Sequence, residues 1–236
     1  MVQKDIVIFG DSFVKPFNLI KSEKIKIYYK PKKTMKGISK KNDVYNCMVN
    51  EIKNNKNIKY MIFLFGFVDI TYSYFYMKYV KKKKFNMKTI IKNYVITLSN
   101  LPIDNKKKII INTMPNGSGE KEFENKVRYR YSIPQLSKQQ RYNEFSIKCR
   151  NKRREKFNQI LKNYCKEYKI KYIDIDKQLF DKNNCLLEKF IIPNRYDVHI
   201  IWEYQLELLT KKLKKYGFEL FKPDIREINS YLEKSN

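Results

Sequence analysis

A serine in a tight turn near one end of the chain and a lone histidine near the other are the residues best suited to chemistry. Ser12 closes Gly10-Asp11-Ser12, directly after the apolar run Ile6–Phe9. His199, the only histidine in 236 residues, ends Tyr196-Asp197-Val198-His199. A serine hydroxyl attacks a carbonyl only when a base takes its proton, and an imidazole does this best when a carboxylate fixes its tautomer. Ser12, His199 and Asp197 are therefore the candidate nucleophile, general base and orienting carboxylate. Each also has a plainer reading. Ser12 can cap the helix that follows it, His199 can be a surface or core imidazole, and Asp197 can close a turn; Asp11, beside Ser12, shapes its own turn by binding nearby amides.

Distant residues of this kind meet only if the fold brings them to one edge. Five apolar runs read as buried strands: Ile6–Phe9, Ile25–Tyr29, Tyr60–Phe65, Ile109–Asn112 and Tyr172–Ile175. They are continuous rather than alternating, as in a parallel sheet covered on both faces. Strands alternating with helical segments give a doubly wound α/β sheet. Helices are expected over Met87–Leu101, stopping at Pro102, and over Trp202–Tyr216, stopping at Gly217. A single long helix is expected over Lys138–Tyr168, and Asn116–Ser137, with Gly117-Ser118-Gly119, reads as an extended loop. No linker divides the chain, so one domain is expected over residues 1–217, with 218–236 as a C-terminal tail.

Open α/β sheets place their sites at the carboxyl ends of the strands. Strand one delivers Gly10-Asp11-Ser12, and strand two leads to Gly37-Ile38-Ser39. Strand three delivers Gly66-Phe67-Val68-Asp69, strand four Asn112-Thr113-Met114-Pro115, and Asp197 and His199 stand just before the last helix. In this order the segments resemble the four blocks of the SGNH (GDSL-type) hydrolase superfamily, in register from residue 5 to about residue 215. The resemblance implies a flavodoxin-like three-layer fold, a five-stranded parallel sheet flanked by helices, and a serine esterase, acyl-transfer enzyme or carbohydrate deacetylase. It implies oxyanion donors at Ser12 and Gly37, site-shaping roles for Asp11, Gly66 and Asp69, and no metal or organic cofactor. An acylated glycan or small-molecule ester is the substrate class that goes with it.

Two residues depart from the pattern. Val68 stands where the third block has asparagine, and valine has no donor to offer an oxyanion; losing such a donor typically costs about 100- to 1,000-fold in turnover. Asp197 stands one residue closer to His199 than in the family's Asp-x-x-His, with Tyr196 at the usual aspartate position. The surroundings of Val68 resemble a divergent subgroup with Phe-Gly-x-Val-Asp, associated with glycan-related genes in bacteria and large viruses.

The net charge of +27 points another way. A field of that sign attracts nucleic acid, anionic glycans and acidic surfaces. The alternative function is thus a catalytically weak or inactive SGNH-like domain that binds a polyanion. Against a functional reading of the charge, lysine is scattered through every segment, alongside the Asn, Ile and Tyr expected of an A/T-rich virus or host. The run Lys148–Arg154 reads as a solvated helix face, with phosphate binding as its alternative, and Lys81–Lys84 reads as solvated too. Tyr72–Tyr79 reads as packing, with a sugar platform as its alternative.

Neither a P-loop nor Gly-x-Gly-x-x-Gly occurs, and no zinc-finger, homeodomain or RNA-recognition signature is present. Four cysteines without a Cys-x-x-Cys pair, and a single histidine, assemble no zinc site by spacing. Free thiols, no signal-peptide core and no apolar run of membrane length lead to the expectation of a soluble cytoplasmic protein.

Overall fold

The computed structural model describes residues 5–183, 185–191, 198–226 and 228. Five strands, β1 (Ile6–Gly10), β2 (Ile25–Tyr29), β3 (Tyr60–Leu64), β4 (Lys108–Ile111) and β5 (Lys171–Ile173), form one sheet in the order β2-β1-β3-β4-β5. Every pairing is parallel, with Ile8 opposite Ile27 and Ile62. This order is the flavodoxin-like one, with its switch point between β1 and β3. The helices are α1 (Met35–Ser39), α2 (Asp43–Asn54), α3 (Met87–Ser99), α4 (Glu120–Tyr131), α5 (Lys138–Phe145), α6 (Ile147–Glu167), α7 (Asp176–Leu179) and α8 (Trp202–Leu213), joined by short 3-10 and π turns. The sheet flanked by helices is the expected α/β three-layer fold.

The chain divides into two compact units. One comprises the chain to Ile70, Phe85–Met114 and Lys156–Asp174; the other comprises Thr71–Lys84, Pro115–Glu155 and the chain from Ile175 onward.

The first unit holds the whole sheet. Successive strand residues point to opposite faces, so Val7, Phe9, Met61, Phe63 and Ile110 join one core with Met35 and Ile38 of α1, Val44 and Met48 of α2, Ile91, Val95 and Leu98 of α3, and Phe157 and Leu161 of α6. The intervening Ile8, Ile62, Ile109 and Ile111 are completely buried as well. Burial on both faces explains why the strands read as unbroken apolar runs, and each such side chain contributes about 1.5–3 kcal/mol. Helix starts follow local chemistry: the Asn42 side chain accepts from the Val44 and Tyr45 amides at α2, and Asn86 accepts from Thr89 at α3. Lys108 is buried inside β4, where its Nζ donates to the carbonyls of Ser99 and Leu101 and to Asn105 Oδ1. Its ammonium thus serves the carbonyls at the end of α3, while burial pushes its pKa down to about 8.

The second unit is built around stacked aromatic rings. Phe75 lies parallel to Phe145 at 5.2 Å and meets Phe123 edge-on, with Val127 and Ile133 beside them. Tyr74 and Tyr79 pack against this cluster, so those tyrosines serve as packing. Buried Glu144 accepts from Lys78, Arg153 and the Tyr74 hydroxyl, which satisfies the carboxylate inside an aromatic surround.

Two expectations need correction here. The stretch Asn116–Ser137 contains α4 over Glu120–Tyr131 rather than a continuous loop. The expected single helix over Lys138–Tyr168 is two helices, α5 and α6, parted at Ser146. Ser146 is extended (φ −58°, ψ 143°), its N–H closes α5 on the Tyr142 carbonyl, and its hydroxyl accepts from the Cys149 amide to start α6.

Candidate active site

In the first unit, β1 ends at Gly10 and the chain turns at once into a 3-10 helix, Ser12–Leu19. Glycine is required at position 10 by close approach: a side chain would overlap Val14 and meet the Leu64 carbonyl oxygen at 2.6 Å. The cap of this helix is Asp11, whose Oδ1 accepts from the Phe13 amide at 3.1 Å. Ser12 is therefore the first helical residue and not the cap, and it is only partly buried.

The third block is anchored by Gly66, with φ +114°. A Cβ at this position would overlap the Thr113 hydroxyl and lie 2.9 Å from both Met35 Cε and Phe157 Cε1. Gly66→Ala combines a disallowed backbone with overpacking and is expected to destabilise the protein by about 3 kcal/mol or more. Urea denaturation of the purified variant measures this directly. Three residues on, Asp69 is completely buried; its Oδ2 accepts from the Met35 amide at 2.8 Å and its Oδ1 from Lys36 at 3.4 Å. These are the first two amides of α1, so Asp69 ties the third block to the second. Val68 beside it is partly exposed and offers no donor.

The second block differs from its expected form. Gly37 lies within α1, and its amide donates to Thr34 Oγ1 at 2.9 Å. That N–H reaches an oxyanion only by giving up the bond that caps its own helix. Before α1, Lys32 adopts a left-handed backbone, with φ +61°.

Asp11 and Asp69 form an electrostatic pair. Burial is the main reason that each carboxyl is pushed up to about 7, and the charge of Asp69 raises Asp11 further. Asp69 has the amides of Met35 and Lys36 to support its ionised form. Asp11 has the Phe13 amide on Oδ1 and a weaker pull from the Phe67 amide, and its Oδ2 is buried without a hydrogen bond of good geometry. Asp11 is thus the more favourable seat for a shared proton.

After β4, Thr113 and Asn158 of α6 exchange bonds: the Thr113 amide donates to Asn158 Oδ1 and Asn158 Nδ2 donates to the Thr113 carbonyl. The Thr113 hydroxyl donates to the Phe65 carbonyl, linking the ends of β3 and β4. Asn158 drew no attention in the sequence, because an asparagine on the buried stripe of a polar helix carries no motif; its place next to Phe157 was the one available signal.

His199 belongs to the second unit. Its ring meets Trp202 edge-on at 6.4 Å, and its backbone is held by the loop before α4. The Gly117 amide donates to the Val198 carbonyl at 3.0 Å, and a side chain at Gly117 would come within 2.5 Å of the His199 carbonyl oxygen. His199 is partly exposed. Asp197, expected to orient it, lies outside the described residues. Among the described residues no three His, Cys, Asp or Glu side chains gather as a metal site.

Several solved structures share this architecture. A GDSL-like lipase from Bacteroides thetaiotaomicron matches with a TM-score of 0.55 and 13% identity, over 89% of this chain and 86% of that one. The acetyl xylan esterase AlAXEase matches with a TM-score of 0.53 and 14% identity, over 90% of this chain and 99% of that one. The fold is that of the GDSL-type hydrolases. A catalytic mutant of an acetylxylan esterase from Geobacillus stearothermophilus agrees, with a TM-score of 0.51 and 11% identity over 95% of this chain and 99% of that one. No protein-family model and no curated protein sequence matches the chain. No helix among the described residues is long and apolar enough to cross a membrane.

Proposed function

We propose that this GDSL-type fold works as a serine esterase or acyl-transfer enzyme, with Ser12 as nucleophile and His199 as general base. Ser12 Oγ attacks the ester carbonyl while His199 takes its proton; the imidazolium then returns that proton to the departing alkoxide. Water, or an acceptor hydroxyl, attacks the acyl-serine by the reverse route. The Ser12 amide is the first oxyanion donor. The Gly37 amide is the second, engaged by releasing Thr34. Asp197 is the orienting carboxylate, and Asp11, Gly66 and Asp69 hold the blocks in shape.

One observation carries this reading: the cap of the helix after β1 is Asp11, which leaves Ser12 at the first helical position of the turn where a hydrolase of this fold needs its nucleophile. Acetyl xylan esterases among the structural neighbours favour an acylated glycan as substrate. A fluorophosphonate probe tests it, because an activated serine displaces the fluoride far faster than an ordinary side chain. Peptide mapping is expected to place the adduct on Ser12, with labelling suppressed in His199→Ala. An adduct confined to other residues, with no ester turnover, defeats the proposal.

Val68 and the engaged Gly37 amide favour a second reading, a catalytically weak or inactive domain that uses its +27 charge to hold a polyanion. In that case heparin or nucleic acid is retained with an affinity that falls steeply as salt rises. A flat salt profile removes this alternative.

A further inference from the structure

Arg150, on the first turn of α6, is only 8% exposed, yet among the described residues its guanidinium makes a single hydrogen bond, from Nη2 to the Ser118 carbonyl at 2.8 Å. Its Nε and Nη1 are buried with no partner, and the group lies over the Phe123 ring at 4.7 Å. A buried guanidinium with idle donors is costly, and arginines in such places are normally paired. Burial pushes its pKa down to about 10, against the opposing pull of Glu120 and Glu122.

Further idle donors lie along the loop that receives it. The Ser118 carbonyl that receives Arg150 belongs to the Asn116–Gly119 loop, which leads directly into the 12-residue helix α4. The cap residue of α4 is Gly119, which has no side chain to satisfy the first amides. Asn116 Oδ1 accepts from the amide and hydroxyl of Ser118, and this fixes the side chain so that Nδ2 carries the idle donors; Nδ2 is buried with no partner. Asn116 and Gly117 are partly exposed and Gly119 is exposed, so solutes reach the loop.

Two carboxylates stand close by and limit the charge. Glu120 accepts from the Ile147 amide at 2.7 Å and is committed to the start of α6. The Glu122 carboxylate folds back against Gly119. It sits at the helix terminus where an external anion would compete with it.

We propose that Arg150, Asn116 Nδ2 and the uncapped start of α4 form a subsite for an oxyanion substituent, a carboxylate, sulfate or phosphate, on the molecule this protein binds. The same loop holds the chain next to His199, because the Gly117 amide donates to the Val198 carbonyl. On the esterase reading, on which this last step rests, the subsite selects esters that carry a negative charge beyond the acyl group. An arginine fork and a helix N-terminus act together in such recognition, one supplying charge-assisted bonds and the other oriented amides.

Calorimetric titration of the full chain with inorganic phosphate, sulfate and glucuronate, at ionic strength held constant with sodium chloride, tests the subsite without any turnover. One saturating site is expected. Asn116→Asp, which keeps the Ser118 bonds but puts a negative charge at the idle edge, should weaken it by about 10-fold or more. Arg150→Gln should abolish it, and Glu122→Gln should tighten it by removing the internal competitor. Should Arg150→Gln fail to fold, the Asn116 and Glu122 variants still decide. The relative affinities for phosphate, sulfate and glucuronate identify the substituent. No binding above the chloride control, or equal binding by wild type and Asn116→Asp, overturns the subsite. Saturable, Asn116-dependent binding in a protein without ester turnover keeps the subsite and defeats the hydrolase; turnover with no anion binding does the reverse.

Discussion

Ser12→Ala is expected to lower kcat/KM for a short-chain activated ester by about 10,000-fold or more, with the fold intact. The size follows from the role: without the hydroxyl there is no acyl-serine, and only binding and oxyanion stabilisation remain. His199→Ala should cost a similar factor. The double variant should be no worse than either single one, because a nucleophile and its base act as a unit and their losses do not add. The structural effect should be small, since Asp11 caps the helix and Ser12 is only partly buried. Circular dichroism and urea midpoints alongside the kinetics separate these effects. Additive losses would separate Ser12 from His199, and survival of turnover in Ser12→Ala would end the nucleophile assignment.

The sheet was legible because burial on both faces leaves a continuous apolar signature; Ile25–Tyr29 is β2 residue for residue. Helix α4 was not. Its buried apolar face consists of Phe123 and Val127, and the third buried residue is Glu124, whose carboxylate is gripped by Arg141. A stripe of two apolar residues is too narrow to mark a helix when tertiary charge pairing supplies the rest. The break at Ser146 was hidden because no glycine or proline marks it; a serine that closes one helix and opens the next looks like any other polar residue.

The run Lys148–Arg154 holds the sharpest lesson. Lys148 and Lys152 are exposed, as expected of a solvated face, but Arg150 and Arg154 are buried. Arg154 pairs with Asp176 at 2.6 Å, and partly buried Arg153 stacks on Tyr74 at 3.9 Å and bonds Glu144. Lysine and arginine are equal in a charge count, yet only arginine has a planar fork that stacks on rings and pairs in several directions. In a chain with lysine everywhere, the arginines were the residues to single out. The turns at Gly10 and Gly66 were legible as the ends of apolar strand runs. The partner of each amide was not, since the Asp69 bond to the start of α1 spans over thirty residues of sequence.

Stability is expected to decline as pH rises from about 5 to 8, the reverse of a protein held by ionised carboxylates, and the cause is the Asp11–Asp69 pair. In the unfolded chain each carboxyl releases its proton near 3.8, whereas in the folded protein each holds it until about 7. Between those values the native state binds more protons than the unfolded one, so raising pH favours unfolding. A shift of this size costs roughly 4 kcal/mol per carboxyl once ionised, as a first-order figure. The two costs do not add fully, because the charge of Asp69 is itself one of the causes that raise Asp11. Asp11 is then the residue whose ionisation is resisted, next to a charged neighbour and with Oδ2 lacking a hydrogen bond of good geometry. Asp11→Asn keeps an acceptor for the Phe13 amide and removes the second charge. It should raise stability at pH 8 by about 2 kcal/mol or more, raise it by less at pH 5, and so flatten the decline. Urea unfolding of both proteins across this range measures the two slopes. A wild type whose stability rises from pH 5 to 8 would show that the pair is ionised at little cost, and would return Asp11 to the role of a simple cap.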